Sequence, residues 1–314
     1  RPALDFKSSL GVRRTWILFL PGVAGAAVLQ FNLLVSRCLA FSIDDASAAI
    51  LFLASRLVEL PLGIFSIAVI TVVFPQISKL HARGDVEGFQ RVFSKGLRLI
   101  LILTVPATMG LIVLAEPILN LLFGWGFFDA DAVASTVPVL QISVLGLPFY
   151  SIVSLYTRGF HARQDMKTPL RASFHAVVVN LVFSVGLMIP FGIKGLAAAG
   201  VIASVWQWFY LWNRSGIPLP GVGASLIKVM VAMAVMGVAC WFAWAWVSDL
   251  KDTDWFAWEW VNDPRFAGKI ESLLAVGGII PAGMFIYATG LWFLQLEDLQ
   301  AVKEVLFHRS GPES

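Results

Sequence analysis

The feature of this sequence that most constrains its fold is a series of long apolar runs without a single charged residue. The eight runs cover residues 16–36, 60–78, 99–115, 132–157, 172–193, 195–213, 229–248 and 272–296. The apolar character of the second run continues upstream, past Glu59 and Arg56, to about residue 47. Most of them approach or exceed the roughly 18–20 residues that an α-helix needs to cross a bilayer. Hydrophobic residues make up 58% of the chain, more than in typical soluble domains. We therefore expect an all-α polytopic membrane protein with eight transmembrane helices.

The positive charges indicate how these helices are oriented. The segments that connect successive spans lie alternately on the two sides of the membrane. Most of the 23 lysines and arginines lie in those on the side of the N-terminus, including loops 79–98 and 158–171. Acidic residues gather on the opposite side, above all between residues 249 and 271. Because cytoplasmic loops carry an excess of lysine and arginine, we expect both ends of the chain to be cytoplasmic. The net charge of +3 then follows from topology and gives no support to a nucleic-acid partner.

Three connecting segments have distinctive compositions. Residues 79–98 predict a basic surface helix that leads into the third span and lies against anionic membrane lipid. Residues 116–131 predict a short interfacial helix followed by a turn. The loop 249–271 contains Trp255, Trp258 and Trp260, a pattern typical of an aromatic belt at the level of the lipid headgroups.

Little in the sequence indicates catalysis or a bound metal. The four histidines are scattered, the two cysteines lie far apart, and no HExxH, CxxC or phosphate-binding glycine motif occurs. We therefore expect no cofactor and no metal ion. The acids of the 249–271 loop, such as Asp252, Asp254 and Glu259, leave open a membrane enzyme that acts on a lipid-linked substrate. The charge bias of the topology favours a solvated loop instead.

Arg56 and Glu59 are the only formally charged residues within the predicted spans. They lie three positions apart and so share one face of a helix, well inside the bilayer. One interpretation is an ion pair that only neutralises two costly charges. The other is a substrate or ion path, because intramembrane charges usually face a bundle interior or a watery cavity. The planar fork of arginine also suits phosphate, so the sequence favours a cavity that receives an anionic ligand.

Three motifs resemble those of one transporter family. They are "RLVELPLGIFSIAVITVVFPQIS" (56–78), "GLRLILILTVPATMGLIVLAEPILNLLFGWGFF" (96–128) and, most specifically, "RGFHARQDMKTP" (158–169). These stretches are similar to the MurJ/MviN peptidoglycan lipid II flippases of the multidrug/oligosaccharidyl-lipid/polysaccharide exporter superfamily. The resemblance runs from about residue 10 to residue 245.

The resemblance implies an architecture for the whole transporter. Family members have fourteen helices, namely two six-helix lobes around a central cavity and then two extra helices. Residues 1–214 would be the second lobe, and residues 215–314 the extra pair with its tryptophan-rich periplasmic loop and cytoplasmic tail. The chain opens on Arg1, which fits a piece of a longer protein whose N-terminal lobe is missing. In the family, the last two helices form a groove for the polyprenyl tail.

The resemblance also implies a substrate site. Arg56 matches a cavity arginine thought to engage the lipid-linked pyrophosphate, and Glu59 lies on the same helix face. Gln30 and Asn32 of the first span are candidates for the cavity lining, with interhelical hydrogen bonding as an equal alternative. Some members have a proposed sodium site built partly from an asparagine and an aspartate four positions apart.

The sodium site and the "RGFHARQDMKTP" loop each have a simpler alternative. Asn180 and Ser184 match the spacing of the sodium ligands, but serine lacks the carboxylate, which favours polar helix packing. In the loop, Arg158, Arg163 and Lys167 flank Asp165, and Thr168 is a candidate cap for a helix starting at Pro169. We expect this loop to anchor to anionic lipid and act as an inner gate. The alternative is an ordinary positive-inside loop with a capped helix.

The sequence as a whole thus favours a non-enzymatic transporter of the bacterial inner membrane. The expected activity is movement of lipid II, a lipid-linked peptidoglycan precursor, from the cytoplasmic to the periplasmic leaflet by alternating access. One alternative is another exporter of the superfamily, for an undecaprenyl-linked oligosaccharide or a drug. The alternative from a different class is the membrane enzyme described above.

Overall fold

The computed structural model describes residues 30–124, 129–219, 221–249 and 275–294, together with residues 23, 27, 28, 272 and 273. Within these residues the chain consists of helices and turns, without a β-strand. The helices are α1 (30–41), α2 (Asp45–Pro61), α3 (Ile67–Ala82), α4 (Val86–Val113), α5 (Ala115–Phe123), α6 (Ala130–Val144), α7 (Leu147–Ala162), α8 (Lys167–Phe191), α9 (Ile193–Ser215), α10 (Val222–Asp249) and α11 (Ile280–Phe293).

Six helical segments of the described chain are long and apolar enough to cross a membrane. They are Asp45–Ala82, Val86–Val113, Ala130–Ala162, Lys167–Phe191, Val222–Val247 and Ala275–Phe293. Helix α9 is long enough to cross a membrane, at 23 residues, but it is less apolar than these six segments. Most of the predicted first span lies outside the described residues. The all-α membrane fold is confirmed, and the count of eight spans stays a prediction.

Two expectations for the connecting segments can be compared with the helices. Residues 86–98 form the first part of the long helix α4 and so lead directly into the third span, whereas residues 79–82 belong to the end of α3 and residues 83–85 form the turn between them. Asp85 accepts a hydrogen bond from the Gly88 amide and so caps the start of α4. The short helix expected after residue 116 is present as α5. The loop at 251–271 lies outside the described residues.

Helix α4 occupies the centre of the bundle. It packs against α3, α7 and α10, and α10 in turn packs against α11. Helices α8 and α9 form a tight hairpin around Gly192, which has the positive φ of +56° that favours glycine. A side chain at Gly195 would collide with the Leu187 carbonyl, so the absence of a Cβ permits this close approach.

Side chains from distant helices bind backbone carbonyls that the helices leave free. Pro106 of α4 has no N–H for the Ile102 carbonyl, and the buried Tyr287 hydroxyl of α11 donates to that oxygen at 2.8 Å. At the end of α4 the Gln141 amide of α6 donates to the Ile112 carbonyl at 3.0 Å. In hydrocarbon no water is available to satisfy such groups, so these bonds fix the helices against one another.

Helices α2 and α3 form one membrane segment interrupted by a wide π-helical turn at Leu62–Ser66. The turn follows Pro61, and the Ser66 hydroxyl at its end donates to Ser151 of α7 at 2.6 Å. Helix α2 packs through one side against α6 and leaves the other side exposed. The charged pair at 56 and 59 lies on that exposed side.

Candidate functional site

Arg56 and Glu59 form an ion pair on the outer face of α2. The Arg56 Nη1 donates to the Glu59 Oε2 at 2.6 Å, and the side chains are 54% and 53% exposed. The expected shared helix face is therefore present. The two charged side chains are not buried within this chain, however. The side of α2 that packs against the rest of the bundle carries Ala54, Leu57 and Val58 instead.

An aromatic ring completes this face. The Arg56 guanidinium carbon lies 4.8 Å from the centre of the Phe52 ring, one helical turn earlier. Arg37 of α1 lies over the same ring, with its guanidinium carbon 5.7 Å from the centre. Phe52 is itself exposed. A guanidinium group over an aromatic ring is attracted by the electron-rich face of the ring, which has no net charge.

Sequence reasoning missed both Phe52 and Arg37. The spacing of four between Phe52 and Arg56 is a signal that was available, since such residues share a helix face. Arg37 had no such signal, because it lies on another helix and its contact depends on how α1 packs. We call Arg37, Phe52, Arg56 and Glu59 the α1–α2 charged face.

A second polar group joins α1 to α8. The Asn180 Nδ2 donates to the Asn32 Oδ1 at 2.6 Å and to the Ser36 hydroxyl at 3.3 Å. The Ser184 hydroxyl donates to the Asn180 Oδ1 at 3.3 Å. Asn180 and Ser184 are buried, so these bonds satisfy groups that would be costly in the bundle interior.

The composition of this α1–α8 polar cluster limits its chemistry. All four residues are neutral, and Asn32 bonds across the helices. Among the residues that the structure describes, no group of three or more histidine, cysteine, aspartate or glutamate side chains has a metal-binding arrangement. Gln30, the other candidate of the first span, is exposed.

The "RGFHARQDMKTP" stretch forms the turn between α7 and α8, and one expectation for it was wrong. Thr168 does not cap the helix. Asp165 does, because its carboxylate accepts the backbone amides of Lys167 and Thr168 and the Thr168 hydroxyl, at 3.0, 3.0 and 2.6 Å. Helix α8 consequently begins at Lys167, two residues before the expected start. Pro169 lies within the first turn of α8. Backbone N–H groups there have no acceptor within the helix, so a proline at this position costs no helical hydrogen bond.

The surroundings of Asp165 keep it ionised. Burial by itself would raise the pKa of this carboxyl group. Hydrogen bonds from Thr168 and Lys167, helped by the charge of Arg171, outweigh burial and hold the pKa below its usual value. Gln164, just before it, has a φ of +61°, a left-handed conformation that makes the turn sharp.

Arg163 connects this turn to two other helices. Its Nη1 donates to the Ser215 carbonyl at the end of α9 at 2.7 Å, and its guanidinium lies 4.7 Å from the Phe89 ring centre of α4. Partial burial lowers the pKa of Arg163, which still stays protonated at neutral pH. Arg158 and Lys167, in contrast, are exposed. The loop thus contains both internal bonds and outward charges.

Comparison with known proteins identifies the family. A model of the family described as Lipid II flippase MurJ matches residues 2–261. The chain belongs to the MurJ family. It is 31% identical over 309 residues to "Probable lipid II flippase MurJ" of Vibrio cholerae, covering 97% of this chain and 56% of that protein. It is 33% identical over 293 residues to the protein of the same name from Thermotoga maritima, covering 93% and 55%.

Solved structures support the same fold. The structure titled "Lipid II flippase MurJ, inward closed conformation" matches with a TM-score of 0.71 and 25% identity, over 95% of this chain and 58% of that one. An outward-facing multidrug transporter of the MATE family matches with a TM-score of 0.56 and 15% identity, over 93% and 73%, which shows the shared fold alone. The chain spans about half the length of the curated MurJ relatives it matches. It is a multi-pass membrane protein with a MurJ-like transporter fold.

Proposed function

We propose that this chain is the C-terminal part of a lipid II flippase, in which Arg56 of the α1–α2 charged face binds the pyrophosphate of the lipid-linked substrate. The observation that carries this proposal is the exposure of Arg56 on a membrane-spanning helix. An arginine exposed there has hydrocarbon, water or another protein surface as its neighbour, and hydrocarbon is the most costly of the three. A water-filled cavity that admits an anionic headgroup is compatible with this position.

The chemistry of the pair suits a pyrophosphate. Arginine presents several N–H donors in a plane, which match two phosphate oxygens at once. Glu59 holds one of these donors before the ligand arrives, at 2.6 Å. We propose that the ligand displaces this bond, and that Glu59 then orients the headgroup or exchanges a proton. The lipid itself is moved without any change in its covalent bonds.

The proposal requires a second lobe. The chain covers about half the length of its MurJ relatives, and the Arg56 and Glu59 side chains of α2 are more than half exposed within the described residues. We propose that an upstream six-helix lobe faces α2 across the cavity and that residues 1–214 form the lobe described above. Helices α10 and α11, in the segment 215–314, would receive the polyprenyl tail, with both ends of the chain cytoplasmic in the bacterial inner membrane.

The turn between α7 and α8 and the α1–α8 polar cluster have different proposed roles. Arg158 and Lys167 are exposed beside a rigid, capped turn, and this supports contact between the turn and anionic lipid headgroups as part of an inner gate. The α1–α8 polar cluster offers neutral oxygens already engaged in hydrogen bonds, and it supports helix packing more than sodium coupling. We propose that Asn180 and Ser184 fix α8 against α1.

Complementation tests the proposal. The flippase carrying Arg56→Ala, produced in a bacterium depleted of its own lipid II flippase, should not restore growth, because the pyrophosphate loses its arginine. Arg214→Ala is the matched control, since Arg214 is also exposed and lies 5.7 Å from the Tyr210 ring centre. It should restore growth fully. Growth with Arg56→Ala as good as with the unaltered protein would contradict the assignment of Arg56.

Arg56→Ala and one further variant separate the alternative functions. A cationic-drug exporter should be unaffected or improved by Arg56→Ala, because it needs a net acidic cavity. An enzyme that uses the 249–271 loop should lose activity when Asp252, Asp254 and Glu259 are neutralised together. A flippase should tolerate that triple change. Loss of growth with the triple variant and normal growth with Arg56→Ala would favour the enzyme.

A further inference from the structure

Two arginines from different helices share one exposed aromatic ring. The guanidinium carbons of Arg37 and Arg56 lie 5.7 and 4.8 Å from the centre of the Phe52 ring. Arg37 lies four residues before the end of α1, about 6 Å along the axis, whereas Arg56 lies deep within α2. The two cations therefore come from different helices and approach the same ring.

The charges on this face do not balance. Among the residues that the structure describes, Glu59 is the only acid in a salt bridge on this face, and its partner is Arg56. Within the described part of the chain, no acidic side chain forms a salt bridge with Arg37. The two cations near one ring repel each other, and Glu59 is paired with only one of them. An anion between the guanidinium groups would relieve it.

We propose that Arg37 is the second arginine of the anion site and that the site is built for a diphosphate. This inference rests on the proposed function and adds to it a residue and a preference. A diphosphate presents two phosphoryl groups, and each can accept two N–H donors from one guanidinium fork. Arg56 binds the deeper phosphoryl group and Arg37 the one nearer the end of α1. A monophosphate engages only one of the two arginines.

Phe52 is the positioning residue of this site. It holds each guanidinium over its ring, so that both arginines are ordered before the ligand arrives. Ordering long side chains in advance lowers the entropy cost of binding. A tyrosine at this position keeps the aromatic face, whereas a leucine keeps most of the volume without it.

Direct binding measurements test the role of Arg37. The full-length flippase in lipid nanodiscs is titrated at low ionic strength with inorganic pyrophosphate and, separately, with orthophosphate. Arg37→Gln should weaken pyrophosphate binding about tenfold, because a charge-assisted contact is lost, while orthophosphate binding changes less than about threefold. Arg37→Lys should be intermediate, and Arg214→Gln should bind both ions like the unaltered protein.

The Phe52 variants give a second readout. Phe52→Leu should weaken pyrophosphate binding about threefold, and Phe52→Tyr should restore it, because only tyrosine keeps the aromatic face. Equal binding by the leucine and tyrosine variants would overturn the positioning role.

The possible failures are distinguishable. If Arg37→Gln matches Arg214→Gln while Arg56→Gln loses pyrophosphate, the role of Arg37 is wrong and the proposed function stands. If Arg56→Gln also binds normally, both are wrong. Equal loss of pyrophosphate and orthophosphate with Arg37→Gln would overturn the diphosphate preference. Elution of each variant as a single folded species is checked first, and Arg37→Lys provides the milder substitution if Arg37→Gln misfolds.

Discussion

Two arginines of this chain make nearly the same contact in opposite surroundings. Arg163 lies 4.7 Å from the Phe89 ring centre and Arg56 lies 4.8 Å from that of Phe52. The Arg163 guanidinium also donates to the Ser215 carbonyl at the end of α9, in a partly buried contact. Arg56 instead bonds its neighbour Glu59 on an exposed face. The contact with an aromatic ring therefore does not by itself determine the role of an arginine. The role depends on which group accepts the hydrogen bonds of its N–H donors.

The difference extends to other polar groups. Tyr287 and Gln141, like Arg163, donate to backbone carbonyls of other helices and so hold the bundle together. The α1–α2 charged face makes no comparable bond to a distant helix within the described residues. We expect substitutions at the first group to change stability and substitutions at the second to change binding. The following predictions test this separation in decreasing order of effect on stability.

Arg163→Ala should give the largest loss of stability. It removes a charged hydrogen bond to the Ser215 carbonyl and the ring contact with Phe89, for which we expect about 2–3 kcal/mol. The measurement is thermal unfolding of the purified protein in detergent, with Arg214→Ala as the control. A loss no greater than that of the control would show that the Arg163 contacts do not hold these helices together.

Tyr287→Phe should cost about 1–2 kcal/mol, because it leaves the Ile102 carbonyl without a donor. The cost should shrink when Pro106→Ala is added, since alanine supplies the helical N–H that proline lacks. A double-mutant cycle of unfolding free energies measures this coupling. Additive effects of the two changes would disprove the link between the proline and the tyrosine.

Asp165→Ala should cost about 1 kcal/mol at neutral pH through loss of the cap of α8. The pKa of Asp165 is lower in the folded protein than its usual value of 3.8. Its contribution is therefore complete above that value and lost as the pH falls through the folded pKa. Unfolding curves of the two proteins should converge in acid. A difference that stays constant down to low pH would contradict the role of the carboxylate.

Arg56→Gln should have the smallest effect on stability, below about 0.5 kcal/mol. Its ion pair is exposed, so solvent can hydrate the Glu59 carboxylate once the arginine is gone. The same thermal unfolding experiment measures it beside Arg163→Ala. A loss as large as that of Arg163→Ala would remove the distinction between the two arginines and would mean that the α1–α2 charged face is part of the packing.

The sequence allowed the local part of this picture to be predicted. Long apolar runs predicted the membrane helices, and a spacing of three predicted the Arg56–Glu59 pair, because helix geometry alone determines both. The hydrogen bonds that hold the helices together join distant positions instead. Arg163 and Ser215, Tyr287 and Ile102, and Asn180 and Asn32 are separated by 52, 185 and 148 residues. Such pairs depend on how the helices pack against one another, and the pattern of apolar residues along the sequence does not contain that information.

The cap of α8 shows the same limit at short range. Asp165 and Thr168 are both good capping residues, and the composition of the turn did not decide between them. The left-handed Gln164 decided it, because it turns the Asp165 carboxylate towards the free amides of α8. That conformation is unusual for a residue other than glycine and was not expected from the sequence.

The central claim is that Arg56 faces water inside the membrane. It is tested most directly by labelling Arg56→Cys with a water-soluble, membrane-impermeant thiol reagent, in full-length protein whose Cys38 and Cys240 have been replaced. A thiol reacts as the thiolate, which forms in water and not in hydrocarbon. Val182→Cys, on the exposed apolar side of α8, is the lipid-facing control. We predict rapid labelling at position 56 and little at 182. Equally slow labelling at both positions would contradict the account.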